Sequence, residues 1–152
     1  MSLFIGLGTN LGNKAQNLTV ARDYLENHFT LISEGQIYTS KAIDYLDQPD
    51  FYNQVMEFEL PQLFPDEVME ILLKIELDMG RQRHIPKGPR IIDLDLLFFG
   101  DQSIITPLVE IPHPRLFQRS FVVLPLRELP GFQLLKKSFS FPQDFSNSST
   151  PL

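Results

Sequence analysis

Gly80-Arg-Gln-Arg-His-Ile-Pro-Lys-Gly-Pro-Arg-Ile-Ile-Asp-Leu-Asp-Leu96 is the stretch on which the fold turns. It begins where a helix must stop and ends inside a strand. Upstream, Val68, Ile71, Leu72, Ile75 and Met79 recur at helical spacing. Pro65 suits the first helical position, and Asp66 and Glu67 suit the positive end of the helix dipole. Gly80 is placed to end that helix. Downstream, Ile91 to Phe99 is almost continuously apolar apart from Asp93 and Asp95, as in a central strand buried on both faces.

Between helix and strand the residues are basic: Arg81, Arg83, Lys87 and Arg90. Strand side chains alternate, so Asp93 and Asp95 share a face, with Cα atoms roughly 6.6 Å apart. Two ionised carboxylates on a buried strand repel each other and lose hydration. The pair is tolerable if one is protonated or if a cation sits between them. A hard divalent ion such as Mg²⁺ suits oxygen ligands. Next to a cluster of arginines, it points to a polyphosphate substrate.

Toward the N-terminus, Ser2 to Thr9 reads as a short buried strand running into Gly6, Gly8 and Gly12. Leu11 stands where a dinucleotide-binding G-x-G-x-x-G loop needs its third glycine, so these glycines are expected to form a tight strand-to-helix turn. Asn13 can cap the next helix, whose apolar face is Leu18, Ala21, Leu25 and Phe29. Leu31 to Tyr38 has strand character. A polar loop from Thr39 to Asp50 follows. Phe51 to Leu60 then alternates, with Phe51 and Asn53 on one side. An aromatic ring beside an amide can stack on a flat heterocycle and hydrogen-bond its edge, although the same pair also serves ordinary strand packing.

Past the organising stretch, Gln102 to Ile105 reads as the returning strand of a hairpin. Prolines flank His113 in Ile111-Pro112-His113-Pro114-Arg115 and restrict its backbone. Phe121 to Leu129 is an apolar run compatible with helix or strand. From Ser146 the composition predicts disorder.

The length of 152 residues fits one domain. The net charge of −6, with its basic residues local, argues against general nucleic-acid binding. Without cysteine there is no disulfide framework, thiolate metal site or catalytic thiol. The first residues lack the features of a signal peptide, and no apolar run approaches the length of a membrane span.

Five blocks then line up in order. They are Gly8-Thr9-Asn10-Leu11-Gly12, Asp47 to Asn53, Ile75-Glu76 with Gly80 to Arg83, Gly88 to Leu96, and Pro112-His113 with Arg119 to Leu126. Together they resemble the 6-hydroxymethyl-7,8-dihydropterin pyrophosphokinase family of folate biosynthesis. The resemblance implies an α/β (α+β) single domain of ferredoxin-like type, an antiparallel-rich sheet covered by helices. It implies a transferase that moves pyrophosphate from ATP to the pterin hydroxymethyl group and gives AMP. It implies that Asp93 and Asp95 hold two Mg²⁺ ions and, with Arg81 and Arg90, form the catalytic set. Glu76, Arg83, Arg90, Leu96 (through its backbone), His113 and Arg119 are implied around ATP. Phe51 and Phe121 are implied to sandwich the pterin, Asn53 to read its polar edge, and Ser40 and Ile43 to add contacts. Lys87 stands where many members of the family carry tryptophan.

On this reading, residues 1–135 form the catalytic domain and 136–152 a partly disordered tail. The protein is expected to be a cytoplasmic monomer with no nucleic-acid or membrane partner. The Asp pair would also suit a two-metal phosphodiesterase or nucleotidyl transferase. An inactive ferredoxin-like nucleotide-binding module is the non-enzyme alternative.

Overall fold

The computed structural model describes residues 1–42, 47–81 and 88–152. Its frame is β1 (Ser2–Thr9), α1 (Lys14–Glu26), β2 (Leu31–Glu34), β3 (Tyr38–Ser40), β4 (Phe51–Glu59), α2 (Pro65–Asp78) and β5 (Asp93–Phe99). β1 runs antiparallel to both β4 and β5 at the centre of the sheet, while β2 and β3 each pair with β4. This is the ferredoxin-like arrangement expected from the sequence. Two crossover helices lie on one face, and the strand order follows from them.

The local signals act as read. Asn13 Oδ1 accepts a hydrogen bond from the Gln16 amide at 3.1 Å and starts α1. Glu67 accepts from the Phe64 amide at 2.9 Å at the start of α2. Gly80, at φ +86°, takes the left-handed conformation that ends it.

Two cores sandwich the sheet. On one face, Leu3, Ile5 and Leu7 of β1, Leu94 and Leu96 of β5, and Met56 and Phe58 of β4 meet the apolar sides of α1 and α2. On the other face, Phe4, Val55, Leu97 and Phe98 meet two later helices, α3 (Ser120–Leu126) and α4 (Phe132–Ser138). A bulge opposite Phe4 and Ile5 explains how Leu97 and Phe98 reach the same core: Ile5 pairs with Leu96 and Phe4 with Phe98, so Leu97 is the extra residue. Phe98 is fully buried, with ring centroids 6.0 Å from Phe4, 6.3 Å from Phe117 and 5.2 Å from Phe139.

The structure corrects four expectations. The single strand expected from Leu31 to Tyr38 is two, β2 and β3, divided where the Gly35 amide turns to donate to Val55 O at 2.9 Å. Ile104–Ile105 (β6) pairs with Glu110–Ile111 (β7) in a separate two-stranded sheet and not with β5, which stands at the end of the main sheet beside β1 and not at its centre. Gly6 and Gly8 belong to β1 itself; only Gly12, at φ +74°, serves the turn. The segment expected to be disordered from Ser146 instead adds a strand, β8 (Ser149–Pro151), to β3. The open question at Phe121 to Leu129 resolves as helix α3. Among the described residues no helix is long and apolar enough to cross a membrane.

Phe98→Ala should cost about 3–5 kcal/mol of stability, since it removes a large, fully buried ring from a packed aromatic cluster. Urea denaturation of the variant against the wild type measures this.

Candidate active site

Helices α3 and α4 cover only part of their face of the sheet. The uncovered part is a cleft, and the register of three strands composes its floor. Gly8 of β1 lies opposite Asn53 on β4 and opposite Asp93 on β5; Gly6 lies opposite Val55 and Asp95. The glycines are thus a strip without side chains between an amide and two carboxylates. A Cβ at Gly8 would stand 3.5 Å from Asn53 Oδ1, 3.8 Å from the Phe51 ring and 4.0 Å from Asp93 Cβ. Phe51, Asn53, Ser40, Arg90, Arg119 and Phe121 line the walls. Asn53 Nδ2 donates to Ser40 Oγ at 2.8 Å, while its Oδ1 lies toward the floor at Gly8.

A second cavity opens on the other side of Asp95. Met69, Leu96, Leu108, Val109, Ile111 and His113 line it. Asp95 is a wall of both cavities.

The charges at this junction are arranged around Asp93. Arg81 Nη1 donates to Asp93 Oδ1 at 2.8 Å and to Glu76 Oε2 at 2.6 Å. Arg90 Nη1 approaches Asp93 Oδ2 at 3.3 Å. Both oxygens of Asp93 are therefore engaged by guanidinium groups. Asp95 lacks such direct partners among the described residues; His113 Nε2 is 3.8 Å away. Burial first, and the charge of Asp93 second, push the Asp95 carboxyl up to about 7, with Arg119 partly opposing. His113 is held down to about 4 by burial and by the charge of Arg119. It is neutral at pH 7. Its Nδ1 accepts from the Arg115 amide at 3.2 Å, which puts the remaining proton on Nε2, on the Asp95 side. Glu76 is buried at 4% exposure and accepts from the Leu94 amide at 2.8 Å. Burial raises its pKa, against those hydrogen bonds.

The donor set fits a divalent cation. Two same-face carboxylates raise each other's cost of ionisation, and arginines supply positive charge to one of them. Among the described residues no set of three or more His, Asp or Glu side chains converges on a metal. A cation here would complete its shell with water and substrate oxygens, as Mg²⁺ does at phosphate sites.

The sequence profile of the 7,8-dihydro-6-hydroxymethylpterin-pyrophosphokinase family matches residues 4–131. The chain belongs to this family. It is 37% identical over 128 residues to the 2-amino-4-hydroxy-6-hydroxymethyldihydropteridine pyrophosphokinase of Bacillus subtilis, spanning 83% of this chain and 76% of that protein. It is also 37% identical over 131 residues to a folic acid synthesis protein of Pneumocystis carinii. That match covers 86% of this chain but only 18% of the much longer relative. A Plasmodium falciparum HPPK-DHPS crystal structure shares the fold with a TM-score of 0.50 at 15% identity, over 94% of this chain and 37% of that one.

Within this pyrophosphokinase fold the expected residues divide into groups. Ser40, Phe51, Asn53, Arg90, Asp93, Asp95, Arg119 and Phe121 share the first cavity. Leu96 and His113 share the second with Asp95. Glu76 and Arg81 line neither; they form a buried ion pair behind Asp93. Ile43, Arg83 and Lys87 lie outside the described residues.

Three contributors escaped the reading of the sequence. The floor glycines read in sequence as a turn. Asn10 is buried and joins separate segments: it donates to Gln48 Oε1 and Pro49 O, and its Oδ1 accepts from the Arg90 amide at 2.9 Å. Its position directly after a buried strand was the available signal. Arg115 lines the first cavity and closes the Ile111–Arg115 motif, in which the prolines point to His113 alone.

Ionising Asp95 is harder in the fold than in the unfolded chain, so its contribution to stability falls as pH rises from about 4 through 7. Asp95→Asn removes that charge. In metal-free urea denaturation, D95N should match the wild type near pH 4. It should exceed the wild type at pH 8 by about 1–2 kcal/mol, allowing for the water that reaches the carboxylate.

Proposed function

We propose that the chain transfers the terminal pyrophosphoryl group of ATP to the hydroxymethyl oxygen of 6-hydroxymethyl-7,8-dihydropterin, with the flat acceptor in the first cavity and the nucleotide in the second. The observation that carries this reading is Asp95 as the common wall of two cavities with different chemistry. One side is an aromatic-and-amide cleft and the other is a largely apolar recess with a neutral imidazole. Reaction between two bound substrates needs such a junction.

The acceptor stacks between Phe51 and Phe121, and Asn53 Oδ1 accepts from its donor-bearing edge. Ser40 fixes that amide by accepting from Nδ2. A hydrogen-bonding site of this kind rejects rings that lack the matching donors. On the nucleotide side, Leu96 contributes backbone, and His113 offers its Nε2–H to an anionic oxygen. Arg90 and Arg119 neutralise phosphate charge from the cleft wall, and by family motif Arg83 and Glu76 complete the nucleotide set.

Reaction joins the acceptor oxygen to the β-phosphorus and breaks the bond from that phosphorus to the oxygen shared with the α-phosphate. AMP leaves and the hydroxyl proton passes to solvent. Charge neutralisation and in-line placement matter here more than a strong base. Asp93 and Asp95 would hold two Mg²⁺ ions, which supply electrostatic stabilisation of the attacking and leaving oxygens. Arg81, held by Glu76 and Asp93 in the free chain, stands behind Asp93 and can turn from it toward spread negative charge. The same reading takes the protein as a cytoplasmic monomer without nucleic-acid or membrane partners.

Incubation with ATP, Mg²⁺ and the hydroxymethyl dihydropterin should release AMP only when the pterin is present. ADP, or AMP without acceptor, would overturn the assignment. Arg81→Ala should lower kcat by more than it raises KM for either substrate, as expected for contact made mainly in the transition state. Steady-state kinetics with each substrate varied will separate the two effects.

A further inference from the structure

The segment after α4 lies beyond the residues matched by the family profile, 4–131, yet it touches both walls of the first cavity. Its beginning is pinned by packing. Phe139 lies 5.2 Å from the Phe98 ring, and Phe141 lies 4.9 Å from Phe132 and 5.4 Å from Phe117. Arg127 donates to the Pro142 carbonyl on the way. The chain then reaches the first turn of α3.

There Asn147 does what no residue of α3 does for itself. Arg119, at the N-cap position, makes no side-chain capping bond. Asn147 Oδ1 instead accepts from the Ser120 amide at 2.9 Å and from Ser120 Oγ at 2.6 Å, while its Nδ2 donates to Gln118 O at 2.7 Å. Ser120 is 1% exposed and stands between Arg119 and Phe121. Two residues further on, Ser149 Oγ donates to Ser120 Oγ at 3.1 Å. Ser149 also pairs with Ser40 in the β3–β8 ladder, and Ser40 Oγ in turn accepts from Asn53. Three residues, 147 to 149, thus connect the wall that carries Phe121 to the wall that carries Asn53.

We propose that Asn147 is a positioning residue for the acceptor. It seats the first turn of α3 and so fixes the Phe121 ring relative to Asn53 and Phe51. The 147–149 segment sets the width of the acceptor cleft. The inference rests on the reading of that cleft as the pterin site.

Pterin affinity of the full chain, read from the intrinsic fluorescence of the bound ring, tests it, with Mg²⁺–ATP affinity measured in parallel. Asn147→Ala should weaken pterin binding about tenfold by deleting the acceptor of two part-buried hydrogen bonds. Nucleotide affinity should fall by no more than about threefold, because Arg119, between Gln118 and Ser120, is the one proposed phosphate contact that Asn147 brackets, and the second cavity is built from other elements. N147D keeps an acceptor oxygen for Ser120 and should restore pterin affinity to within about threefold of the wild type. Equal loss of both ligands in N147A, unchanged pterin affinity, or no recovery in N147D would each overturn the proposal. If N147A does not fold, Ser149→Ala carries the test. It removes a single hydroxyl contact and leaves the β8 backbone in place, so pterin binding should weaken about threefold, and unchanged affinity would again overturn it. A wild-type chain that does not bind the pterin would instead refute the assignment of the cleft, a separate result.

Discussion

The constraint on which this molecule depends is electrostatic. Asp93 and Asp95 stand on one face of β5, the end strand of the sheet beside β1, where neither burial nor their mutual repulsion favours two negative charges. The fold answers this unevenly. Asp93 is neutralised by Arg81 and Arg90, and Arg81 is in turn anchored by the buried Glu76. Asp95 is left without a direct guanidinium partner among the described residues. Under the function proposed above, this asymmetry would leave Asp95 to a cation and Arg81 and Arg90 to exchange Asp93 for phosphate.

Regular structure that follows a simple period was legible in the sequence. β1, α1, β4, α2 and β5 announce themselves by alternation or helical spacing, and their caps are local: Asn13, Glu67, Gly80. The Asp pair was legible because strand alternation alone puts both carboxylates on one face. What did not show was anything settled by partners distant in sequence. Leu97 looks like one more apolar residue until pairing with Phe4 and Ile5 makes it a bulge. Gly6 and Gly8 look like turn residues until Asn53 and Asp93 are seen to flank them. Ile104–Ile105 pairs with β7 and not with β5, a choice that nothing in its own residues signals.

The C-terminal segment carries the same lesson. Its Ser-rich composition predicts disorder, because composition counts the absence of apolar residues in the segment itself. Its order comes from elsewhere. Phe139 and Phe141 anchor the preceding turn in the second core, and the buried Ser120 presents polar groups that need partners. Short polar residues such as Asn147 and Ser149 are well matched to that need. A segment without a core of its own is ordered by unsatisfied groups in another.

The sharing of Asp95 between two cavities has a thermodynamic consequence. A ligand on one side that shifts the charge state of this carboxylate, and thereby the affinity of a ligand on the other side, must have its own affinity shifted by that second ligand by the same factor. Any coupling that passes through Asp95 is therefore a single quantity, readable from either side of the cleft.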